Sequence, residues 1–459
     1  MKKIILILLT TIAPLLLNAQ CWNSVSTGGA HTLGIGADNS LWAWGRNNVG
    51  QLGKGDFTNV NIPTKIGFAL NWKQVSCGNA HSLALKTDGT MWSWGRNTLG
   101  QLGAGLPGNS ALPVQVGTAT NWVFICAGDD YSSGIKDDGT LWTWGDNTYG
   151  QLGDGTFGAT ENKTTPVQIG VATNWLVVSA GGSHTMGIKT NGTLWAFGRN
   201  NSGQLGDGTN IDSLIPVQVG TDTDWKTISA ALYHTVALKN NGSLWTWGLN
   251  TNGQLGDGTI VDKNAPLNIE VGTTFTKATR GIQHIISEKA NGTLWSNGLN
   301  VSGQLGDATV ITKTVPTPVA SVVNSWKSIT SRFSHCAGVK ADGTLLMWGS
   351  NLYGQLGNGS SSAAVSTPAG IVCPTLAANN FSLNSGFSIY PNPVNTILNI
   401  NLNDNNTLTK VIIMDITGKI VLEQTDNLAT VNVENLSNGL YIIELLSVEK
   451  SYQGKFIKN

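Results

Sequence analysis

Charged residues are scarce in this sequence, and neither sign is in excess. Only 12% of the 459 residues are charged, and 27 lysine and arginine residues balance 27 aspartate and glutamate residues. Binding to the phosphate backbone of DNA or RNA draws on an excess of basic residues. Nucleic acid is therefore not an expected partner of this protein.

Long hydrophobic runs are also lacking, apart from one near the amino terminus. Residues 4–17 are mostly apolar, but two threonines and a proline interrupt them, and the run is short for a membrane span. Two lysines precede this run, so residues 1–19 are typical of a secretory signal peptide that is cleaved after Ala19. Cys21 raises the alternative of a lipid anchor, but Gln20 stands where a small residue is expected. We expect an exported chain without a membrane span.

The sequence is, by contrast, rich in glycine and tryptophan, with 57 and 17 residues, and every tryptophan lies in a repeat. The signature of the repeat is the decapeptide Trp-Gly-x-Asn-x-x-Gly-Gln-Leu-Gly. Its seven copies begin at Trp44, Trp94, Trp144, Phe197, Trp247, Asn297 and Trp348. A nearly constant period of about 50 residues indicates a repeat architecture.

Other positions recur with the same period. An aromatic residue opens each repeat, at Trp22, Trp72, Trp122, Trp175, Trp225, Phe275 and Trp326. Nine residues later stands a histidine or, once, a tyrosine, at His31, His81, Tyr131, His184, His234, His284 and His335. A short alternating run and an Asp-Gly or Asn-Gly pair follow, except that the first copy has Asp38 and Asn39. Such pairs favour two-residue hairpin loops, so the flanking segments are predicted to be paired antiparallel strands.

A segment led by proline completes each repeat, at Pro63, Pro113, Pro166, Pro216, Pro266, Pro316 and Pro368. Proline cannot donate to a strand ladder, which suits the start of an edge strand. Each repeat is therefore predicted to form one antiparallel sheet of about four short strands. Such sheets repeated radially form a propeller, so the seven copies predict an all-β, seven-bladed β-propeller over residues 20–373.

The repeat resembles that of the regulator of chromosome condensation repeat family. The resemblance rests on the pattern Asp-Gly-x-Leu-Trp-x-Trp-Gly-x-Asn-x-x-Gly-Gln-Leu-Gly, preceded by His-Ser or His-Thr, and it covers all seven copies. It implies a seven-bladed propeller. Members of the family include the nucleotide exchange factor of a nuclear GTPase, whose activity requires a protruding insertion. The largest length variation here is three residues between Gly153 and Pro166, so exchange activity is disfavoured for this exported chain.

The composition changes after residue 373. Residues 374–386 are small and polar, as in a linker, and residues 387–459 contain alternating segments typical of a small β-sandwich. This tail resembles the type A C-terminal sorting domain of the type IX (Por) secretion system of Bacteroidota. The resemblance is carried by Tyr390, Pro391, Asn392, Pro393, Asp415, Gly418, Lys419, Gly439, Tyr441 and Lys455. It implies that the type IX secretion machinery is a partner, and that the tail is removed when the chain reaches the cell surface or the medium.

Histidine and tryptophan are the residues whose chemistry would first suggest a site. All six histidines occupy one slot of the repeat, and equivalent slots of a propeller are spread around the ring, so they are not expected to converge on one metal ion. We expect each histidine to connect two backbone groups where a strand begins. The tryptophans also fill equivalent slots, and we expect them to pack between neighbouring blades.

Motifs of catalysis are missing outside the repeat pattern. No Ser-His-Asp order, His-Glu-x-x-His pair, phosphate-binding loop or pair of carboxylates stands out. The Asp-Gly-Thr triplets at Asp154, Asp207 and Asp257 recur too regularly to be catalytic, and they lack the Asp-x-Asp array of a calcium loop. We therefore expect a protein that is not an enzyme and that has no metal and no cofactor.

Five cysteines in an exported chain require an account, because the compartment is oxidising. Cys77, Cys126 and Cys336 lie in slots where other copies have threonine or serine, so they are predicted to be small buried residues. Cys21 and Cys373 flank the whole repeat array. A ring must bring its first and last blades together, and we therefore expect a disulfide between these two cysteines at the seam.

Two slots of the decapeptide vary between copies and are candidates for a binding face. The slot after Trp-Gly contains Arg46, Arg96, Asp146, Arg199, Leu249, Leu299 and Ser350. The slot before Gly-Gln-Leu-Gly contains Val49, Leu99, Tyr149, Ser202, Asn252, Ser302 and Tyr353. Around the ring, the blades with Tyr353, Val49, Leu99 and Tyr149 are consecutive, so these four side chains form one apolar sector. We expect this sector and the three arginines to form a binding face if the loops are exposed; alternatively, these residues pack under the loops.

The leading hypothesis is a secreted or cell-surface binding module that is not an enzyme and that engages an extracellular protein through one face of the propeller. A carbohydrate-binding module or adhesin is the alternative, because aromatic residues on propeller loops can stack on sugars. The two hypotheses differ in ligand, and the sequence contains no feature that identifies one.

Overall fold

The computed structural model describes residues 21–321, 325–361, 364–373, 386–402, 406–415, 420–447 and 451–459. The predicted signal peptide and nearly all of the predicted linker lie outside these ranges. Strands form almost all of the regular structure, and the one helix in the ranges is a short 3₁₀ turn at Ala159–Glu161. No helix of these ranges is long and apolar enough to cross a membrane. The prediction of an all-β fold is confirmed.

Residues 22–370 form seven antiparallel sheets, and the four strands of each sheet are consecutive in the sequence. The first strands are β1 (Trp22–Thr27), β5 (Trp72–Cys77), β9 (Trp122–Ala127), β13 (Trp175–Ala180), β17 (Trp225–Ala230), β21 (Phe275–Arg280) and β25 (Trp326–Arg332). The second strands are β2 (His31–Gly36), β6 (His81–Lys86), β10 (Tyr131–Lys136), β14 (His184–Lys189), β18 (His234–Lys239), β22 (His284–Lys289) and β26 (His335–Lys340).

The outer half of each sheet follows the same order. The third strands are β3 (Leu41–Gly45), β7 (Met91–Gly95), β11 (Leu141–Gly145), β15 (Leu194–Gly198), β19 (Leu244–Gly248), β23 (Leu294–Gly298) and β27 (Leu345–Gly349). The fourth strands are β4 (Val60–Ile66), β8 (Ser110–Gln115), β12 (Lys163–Gln168), β16 (Ser213–Gln218), β20 (Lys263–Ile269), β24 (Lys313–Pro318) and β28 (Val365–Gly370).

The predicted hairpin turns join the second and third strands. In the second sheet Leu85 pairs with Met91, and Gly89 of the turn has a φ of 78°. The first sheet lacks this glycine, and Asn39 takes the same left-handed conformation with a φ of 60°. Asparagine tolerates this region because its short polar side chain can form local hydrogen bonds. The exceptional first copy therefore forms the same turn as the others.

The sheets are arranged in a ring. Each sheet packs on the next, and the first strands of neighbouring sheets contact one another. The first sheet also contacts the seventh, through β1 with β25 and β26, which closes the ring. The structure is therefore a propeller with the first strands at its axis. Its seven four-stranded sheets agree with the seven predicted blades.

The apolar core lies between the sheets. Between the first and second sheets, Leu33, Trp72 and Trp94 are buried in one cluster. Within a sheet the opening tryptophan covers a small residue of the second strand, and a Cβ added to Gly34 would stand 2.4 Å from the ring of Trp22. Tryptophan is buried between the other neighbouring sheets as well, except between the fifth and sixth, where Phe275 takes its place.

The seam between the first and seventh sheets has no shared strand. Among the described strands, β1–β4 form the first sheet and β25–β28 form the seventh, so neither end of the chain completes the sheet of the other. Instead, the Trp22 N–H donates to Gly343 O at 3.2 Å, and the Thr32 hydroxyl donates to Gln355 O at 2.9 Å. Beside this seam the structure joins Cys21 and Cys373 in a disulfide, with their Cα atoms 5.8 Å apart.

The tail forms a small β-sandwich. Its strands are β29 (Phe387–Tyr390), β30 (Ile397–Leu402), β31 (Leu408–Asp415), β32 (Ile420–Gln424), β33 (Thr430–Asn432), β34 (Gly439–Ser447) and β35 (Ser451–Lys458). One sheet consists of β29, β30 and β33, and the other consists of β31, β32, β34 and β35. Side chains from both sheets, among them Leu398 and Ile443, are buried in one cluster.

Candidate functional site

Two sets of loops emerge at the same end of the propeller. Because His31 pairs with Gly45 across β2 and β3, the loop of residues 28–30 and the loop of residues 46–59 start side by side. The same pairing recurs in the other six sheets. We call this end, formed by residues 28–30 and 46–59 and their equivalents in every sheet, the loop face. All seven residues of the predicted binding face belong to it.

The recurring residues of the decapeptide build the scaffold of the loop face. Asn47 Oδ1 accepts the Leu52 N–H at 2.9 Å, and Asn47 Nδ2 donates to Asp56 O at 2.7 Å. Gln51 Oε1 accepts the Val49 N–H at 3.0 Å. The bond between the leucine N–H and the asparagine recurs in the other six sheets. The motif therefore folds the loop, and the residues between its fixed positions are left to differ at the surface.

The histidine slot connects neighbouring sheets through a hydroxyl group. His31 Nε2 lies 3.0 Å from Ser82 Oγ of the next sheet, and that hydroxyl donates to Gln51 O at 2.7 Å. The same arrangement occurs in the pairs His81–Ser132, His184–Thr235 and His335–Thr32. The expectation that each histidine connects two backbone groups was wrong. Each of these imidazole rings points toward the next sheet, where its partner is the residue that follows that sheet's own histidine or tyrosine.

Three sheets depart from this arrangement. In the seventh, Cys336 replaces the hydroxyl residue, and His284 Nε2 lies 3.3 Å from Cys336 Sγ and 2.9 Å from Ser331 Oγ. Tyr131 occupies the slot in the third sheet, and its hydroxyl donates to His184 O at 2.5 Å. In the sixth sheet Ile285 replaces the hydroxyl residue, and neither ring nitrogen of His234 has a hydrogen-bond partner in the described part of the chain. Burial lowers the pKa of all six histidines to about 3. They are therefore neutral at physiological pH and unsuited to acid–base catalysis.

The histidines do not form a metal centre in the described chain. Each lies between a different pair of neighbouring sheets, and the described residues contain no group of three or more side chains that could hold a metal ion. The repeat cysteines are free thiols. Burial raises the pKa of Cys77 and Cys336 to about 12, so both stay protonated. Cys126 is partly buried, and its Sγ lies 3.3 Å from the Ala180 N–H nitrogen.

The two tyrosines of the predicted binding face are stacked against arginines of the next sheet. The Arg46 guanidinium lies 4.7 Å from the ring centroid of Tyr353. The Arg199 guanidinium lies 4.4 Å from the centroid of Tyr149 and 5.2 Å from that of Tyr233. Tyr353 is 36% exposed, whereas Tyr149 is half-buried. Such contacts contribute roughly 0.5–1 kcal/mol at exposed sites, and here they also bridge two sheets.

The other predicted residues lie on the loop face without joining these pairs. Arg96 Nη1 lies 3.7 Å from Asp130 Oδ1, and Arg96 Nε donates to Thr98 Oγ1 at 3.0 Å. Val49 and Leu99 are half-buried. The seven candidates are distributed over five sheets, and the ring contacts among them are the two arginine–tyrosine pairs.

More exposed apolar residues lie in positions that the sequence interpretation did not consider. Val301 and Leu352 are each 67% exposed, one residue before the slot that includes Tyr353. Others lie farther along the loops between the third and fourth strands: Phe57, Leu106, Phe157, Ile211, Ile260, Val261, Val310 and Ile311. In the sequence, these residues could have been identified as apolar residues within loops that are otherwise polar. Five of these ten residues belong to the fifth and sixth sheets, and each of the other sheets contributes one.

In the tail, the Tyr-Pro-Asn-Pro segment lies beside the last strand. Asn392 Nδ2 donates to Lys455 O at 3.3 Å, and Asn392 Oδ1 accepts the Ile457 N–H at 2.8 Å. Tyr441 is stacked on Phe456, with ring centroids 5.6 Å apart. Among the other predicted sorting residues, Tyr390, Asp415 and Gly439 lie at strand ends, and Pro391 and Pro393 lie in the connection between β29 and β30. The predicted Gly418 and Lys419 lie outside the described residues.

Family comparison agrees with this architecture. A family model described as the RCC1-like domain matches residues 123–390, which is more than half of the chain. The chain belongs to this family. Two models of the regulator of chromosome condensation (RCC1) repeat also match, one at residues 38–85 and 88–135 and the other at residues 22–51 and 72–101.

Solved structures have the same fold as this RCC1-like chain. Human WBSCR16 is 21% identical, with a TM-score of 0.62, and the match covers 70% of this chain and 87% of that one. Yeast RCC1 (Prp20), bound to Kap60, is 20% identical, with a TM-score of 0.65 and coverage of 81% and 87%. Prp20p from Saccharomyces cerevisiae is 22% identical, with a TM-score of 0.64 and coverage of 81% and 90%. At these identities the likeness shows the fold alone.

The tail of this RCC1-like protein belongs to a different family. Residues 388–459 match the model of the secretion system C-terminal sorting domain. The protein is therefore exported through the type IX secretion system to the cell surface or the extracellular space.

Proposed function

We propose that this RCC1-like protein is a binding module that acts outside the cell and engages a protein partner through its loop face. The observation that carries the proposal is the apolar arc of the fifth to seventh sheets, formed by Ile260, Val261, Val301, Val310, Ile311 and Leu352. Exposed apolar patches on soluble proteins are typical of interaction sites. A protein partner would bury these side chains and so remove their apolar surface from water.

The arginine–tyrosine pairs add polar anchors to this surface. Tyr353 follows Leu352 directly and is stacked against Arg46 of the first sheet, so it extends the arc across the seam. Tyrosine and arginine are enriched among the residues that contribute most to protein–protein binding. The arc and the Arg46–Tyr353 pair together offer an apolar centre with a cationic edge, which is the composition of many interfaces.

A binding role is also consistent with the environments of the histidines, the cysteines and the aspartates of the Asp-Gly-Thr triplets, which are the groups that could otherwise be catalytic. The histidines are buried and neutral, and the thiols of Cys77 and Cys336 are protonated. Asp207, from an Asp-Gly-Thr triplet, accepts hydrogen bonds from the Asn200 and Thr209 side chains of its own loop, at 3.0 and 2.8 Å. Each of these groups has a structural role, which supports a protein without catalytic residues.

Changes within the arc are expected to weaken partner binding without weakening the fold. In a variant with Leu352→Ala and Tyr353→Ala, the amount of partner captured from the culture medium should fall by about tenfold or more, because such anchors dominate binding. The matched control is Thr251→Ala with Asn252→Ala, which changes the same two slots of the fifth sheet. Quantitative pull-down and melting temperature are the measurements.

Equal losses in both variants, or a lower melting temperature with unchanged capture, would show that the arc packs the loops and binds nothing. A glycan array run in parallel separates the rival function. Specific binding to sugars that depends on Tyr353, with no captured protein, would replace the protein-binding proposal by a carbohydrate-binding one.

Deletion of the tail is expected to stop export while the propeller still folds. The seven sheets contain no strand of residues 388–459, so their packing does not require the tail. The truncated chain should therefore accumulate, folded, inside the cell envelope. A deletion of residues 455–459 alone should already impair export, because Lys455 and Ile457 bond to Asn392 of the motif. Cell fractionation measures both, and normal levels of the truncated chain in the medium would contradict the sorting role.

A further inference from the structure

Arginine is confined to one end of this protein. The chain contains five arginines, Arg46, Arg96, Arg199, Arg280 and Arg332, and all its other basic residues are lysines. Two of the five follow Trp-Gly on the loop face, and Arg199 follows Phe197-Gly198 in the same slot. The other two end the first strands β21 and β25. Both strands lie at the ring axis, and they end on the side of the loop face. Arginine differs from lysine in its planar fork, which suits bidentate binding of oxyanions.

Arg332 crosses the axis of the ring. It is 5% exposed, and it stands in a slot that is glycine in five other sheets, where a Cβ added to Gly28 would lie 2.4 Å from the His31 ring. Arg332 Nη1 donates to Cys77 O at 3.1 Å and to Ala127 O at 2.7 Å, and its Nη2 lies 2.7 Å from Asp129 Oδ1. The side chain of the seventh sheet therefore reaches the second and third sheets on the far side of the axis.

Arg280 lies at the same end of the axis without an acidic partner. It is 8% exposed, and its Nη2 donates to Ala180 O of the fourth sheet at 3.1 Å. Among the described residues no carboxylate lies within salt-bridge distance of it, whereas Arg332 has Asp129. We call the end of the axis formed by Ala127, Ala180, Arg280 and Arg332 the axial mouth.

The axial mouth therefore has one positive charge in excess. A buried cation without a counter-ion is unfavourable, because it has lost water and gained no opposite charge. Burial, together with the neighbouring charge of Arg332, lowers the pKa of Arg280, and the more distant carboxylate of Asp129 only partly opposes this. The Nε of Arg332 is also buried without a hydrogen-bond partner in the described part of the chain. Both observations indicate a site that an anion would complete.

We propose that Arg280, supported by Arg332, forms an oxyanion-binding site at the axial mouth and binds the carboxylate of a partner molecule. The net charge of Arg280, Arg332 and Asp129 together is one positive charge, which a carboxylate neutralises. A phosphate dianion would bring an excess of negative charge next to Asp129. The site thus favours a carboxylate over a phosphate.

The surroundings of the mouth indicate what the carboxylate is attached to. Leu232, Ile282 and Phe333 occupy the slot two residues before the histidines of the fifth, sixth and seventh sheets, and all three are half-buried. They give the mouth an apolar rim on the side that carries the apolar arc. A carboxylate on an aliphatic stem, such as a glutamate side chain or the terminus of a protein, fits this combination.

This site specifies the chemistry that the loop face would recognise and so rests on the proposed function, but it can be tested without the partner. The full chain without its signal peptide, with its disulfide intact, is titrated with propionate by calorimetry near neutral pH at constant ionic strength. We expect saturable binding of propionate that is tighter than binding of inorganic phosphate. In Arg280→Met the dissociation constant for propionate should rise by roughly 10- to 100-fold.

The matched control is Lys327→Met, which removes an exposed basic residue near the start of β25, the strand that Arg332 ends. It should leave propionate binding unchanged. If Arg280→Met does not fold, Arg280→Lys keeps the charge without the fork and should still weaken binding several-fold. No saturable binding, tighter binding of phosphate, or an equal loss in Lys327→Met would each overturn the proposal. Failure to capture a protein partner would affect only the proposed function.

Discussion

Acidification from pH 7 to about pH 4.5 is expected to unfold the propeller. All six histidines are buried, and burial lowers their pKa from the ordinary 6.5 to about 3. In the unfolded chain the same histidines have a pKa near 6.5 and bind protons that the folded chain does not bind. The stability that depends on them is therefore complete above about pH 6.5 and is lost progressively as the pH falls toward 3.

The expected effect is large because the six contributions have the same sign. Each histidine changes the free energy of unfolding by about 1.4 kcal/mol per pH unit within this window. At about pH 5 the six together would remove roughly 12 kcal/mol, which is comparable to the whole stability of a typical domain. Carboxylates whose pKa is lowered act in the same direction only at lower pH, whereas burial raises the pKa of Asp130 and Glu444, which act in the opposite direction. The pKa of Asp38, which burial would raise, is lowered from 3.8 by hydrogen bonds from Ser40.

Thermal unfolding followed by circular dichroism at a series of pH values measures this effect. A matched variant is His184→Tyr, since Tyr131 naturally occupies the same slot and Thr235 offers the hydroxyl that Thr185 offers Tyr131, at 2.9 Å. This variant should reduce the slope of stability against pH by about 1.4 kcal/mol per unit, one histidine's share. A melting temperature that is constant between neutral pH and about pH 5 would show that the rings are not buried as neutral groups.

Loss of the bond between Cys21 and Cys373 is expected to destabilise the ring at its seam. The two cysteines are 352 residues apart in the sequence, and the bond closes a loop that contains all seven sheets. In the loop-entropy model a closure of this length contributes about 5 kcal/mol by restricting the unfolded chain. The seam has no shared strand, so side-chain contacts and a few hydrogen bonds are what remain after reduction.

The test compares Cys21→Ser with Cys373→Ser, singly and together, with the control Cys126→Ser. The control makes the same chemical change at a free thiol inside the ring. The seam variants should all lose a similar amount of stability, measured by denaturant unfolding, and the control should lose little. Peptide mapping of the exported protein without reductant should recover a linked Cys21–Cys373 peptide. Two free thiols at these positions would reject the bond.

Much of the fold was predictable because it is encoded within single repeats. The Asp-Gly and Asn-Gly pairs require a left-handed turn, and the alternating runs beside them have one buried side, so each hairpin follows from fewer than 20 neighbouring residues. The recurrence of these signals seven times then predicted the number of sheets. The exceptional turn at Asn39 also follows from a local preference, since asparagine can adopt the positive φ that glycine adopts in the other copies.

The candidate site was predictable in position and not in detail. The sequence placed Arg46 and Tyr353 on one face, but it did not show that they belong to adjacent sheets whose side chains stack. It also suggested that each histidine connects two backbone groups where a strand begins. The partner of His31 is instead Ser82, in the next repeat. Exposure of Val301 and Leu352 depends on how each loop folds over its scaffold, which the residue types do not reveal.

The sequence by itself determined the repeat, its turns, its strands and the separate character of the tail. These depend on conformational preferences that act over a few residues. Only the tertiary structure decided which side chains meet across the ring. The bond from Arg332 to Ala127 joins residues 205 positions apart, from sheets that face each other across the axis. No local preference encodes such a contact, because it exists only once seven sheets have closed into a ring and brought the ends of their first strands together.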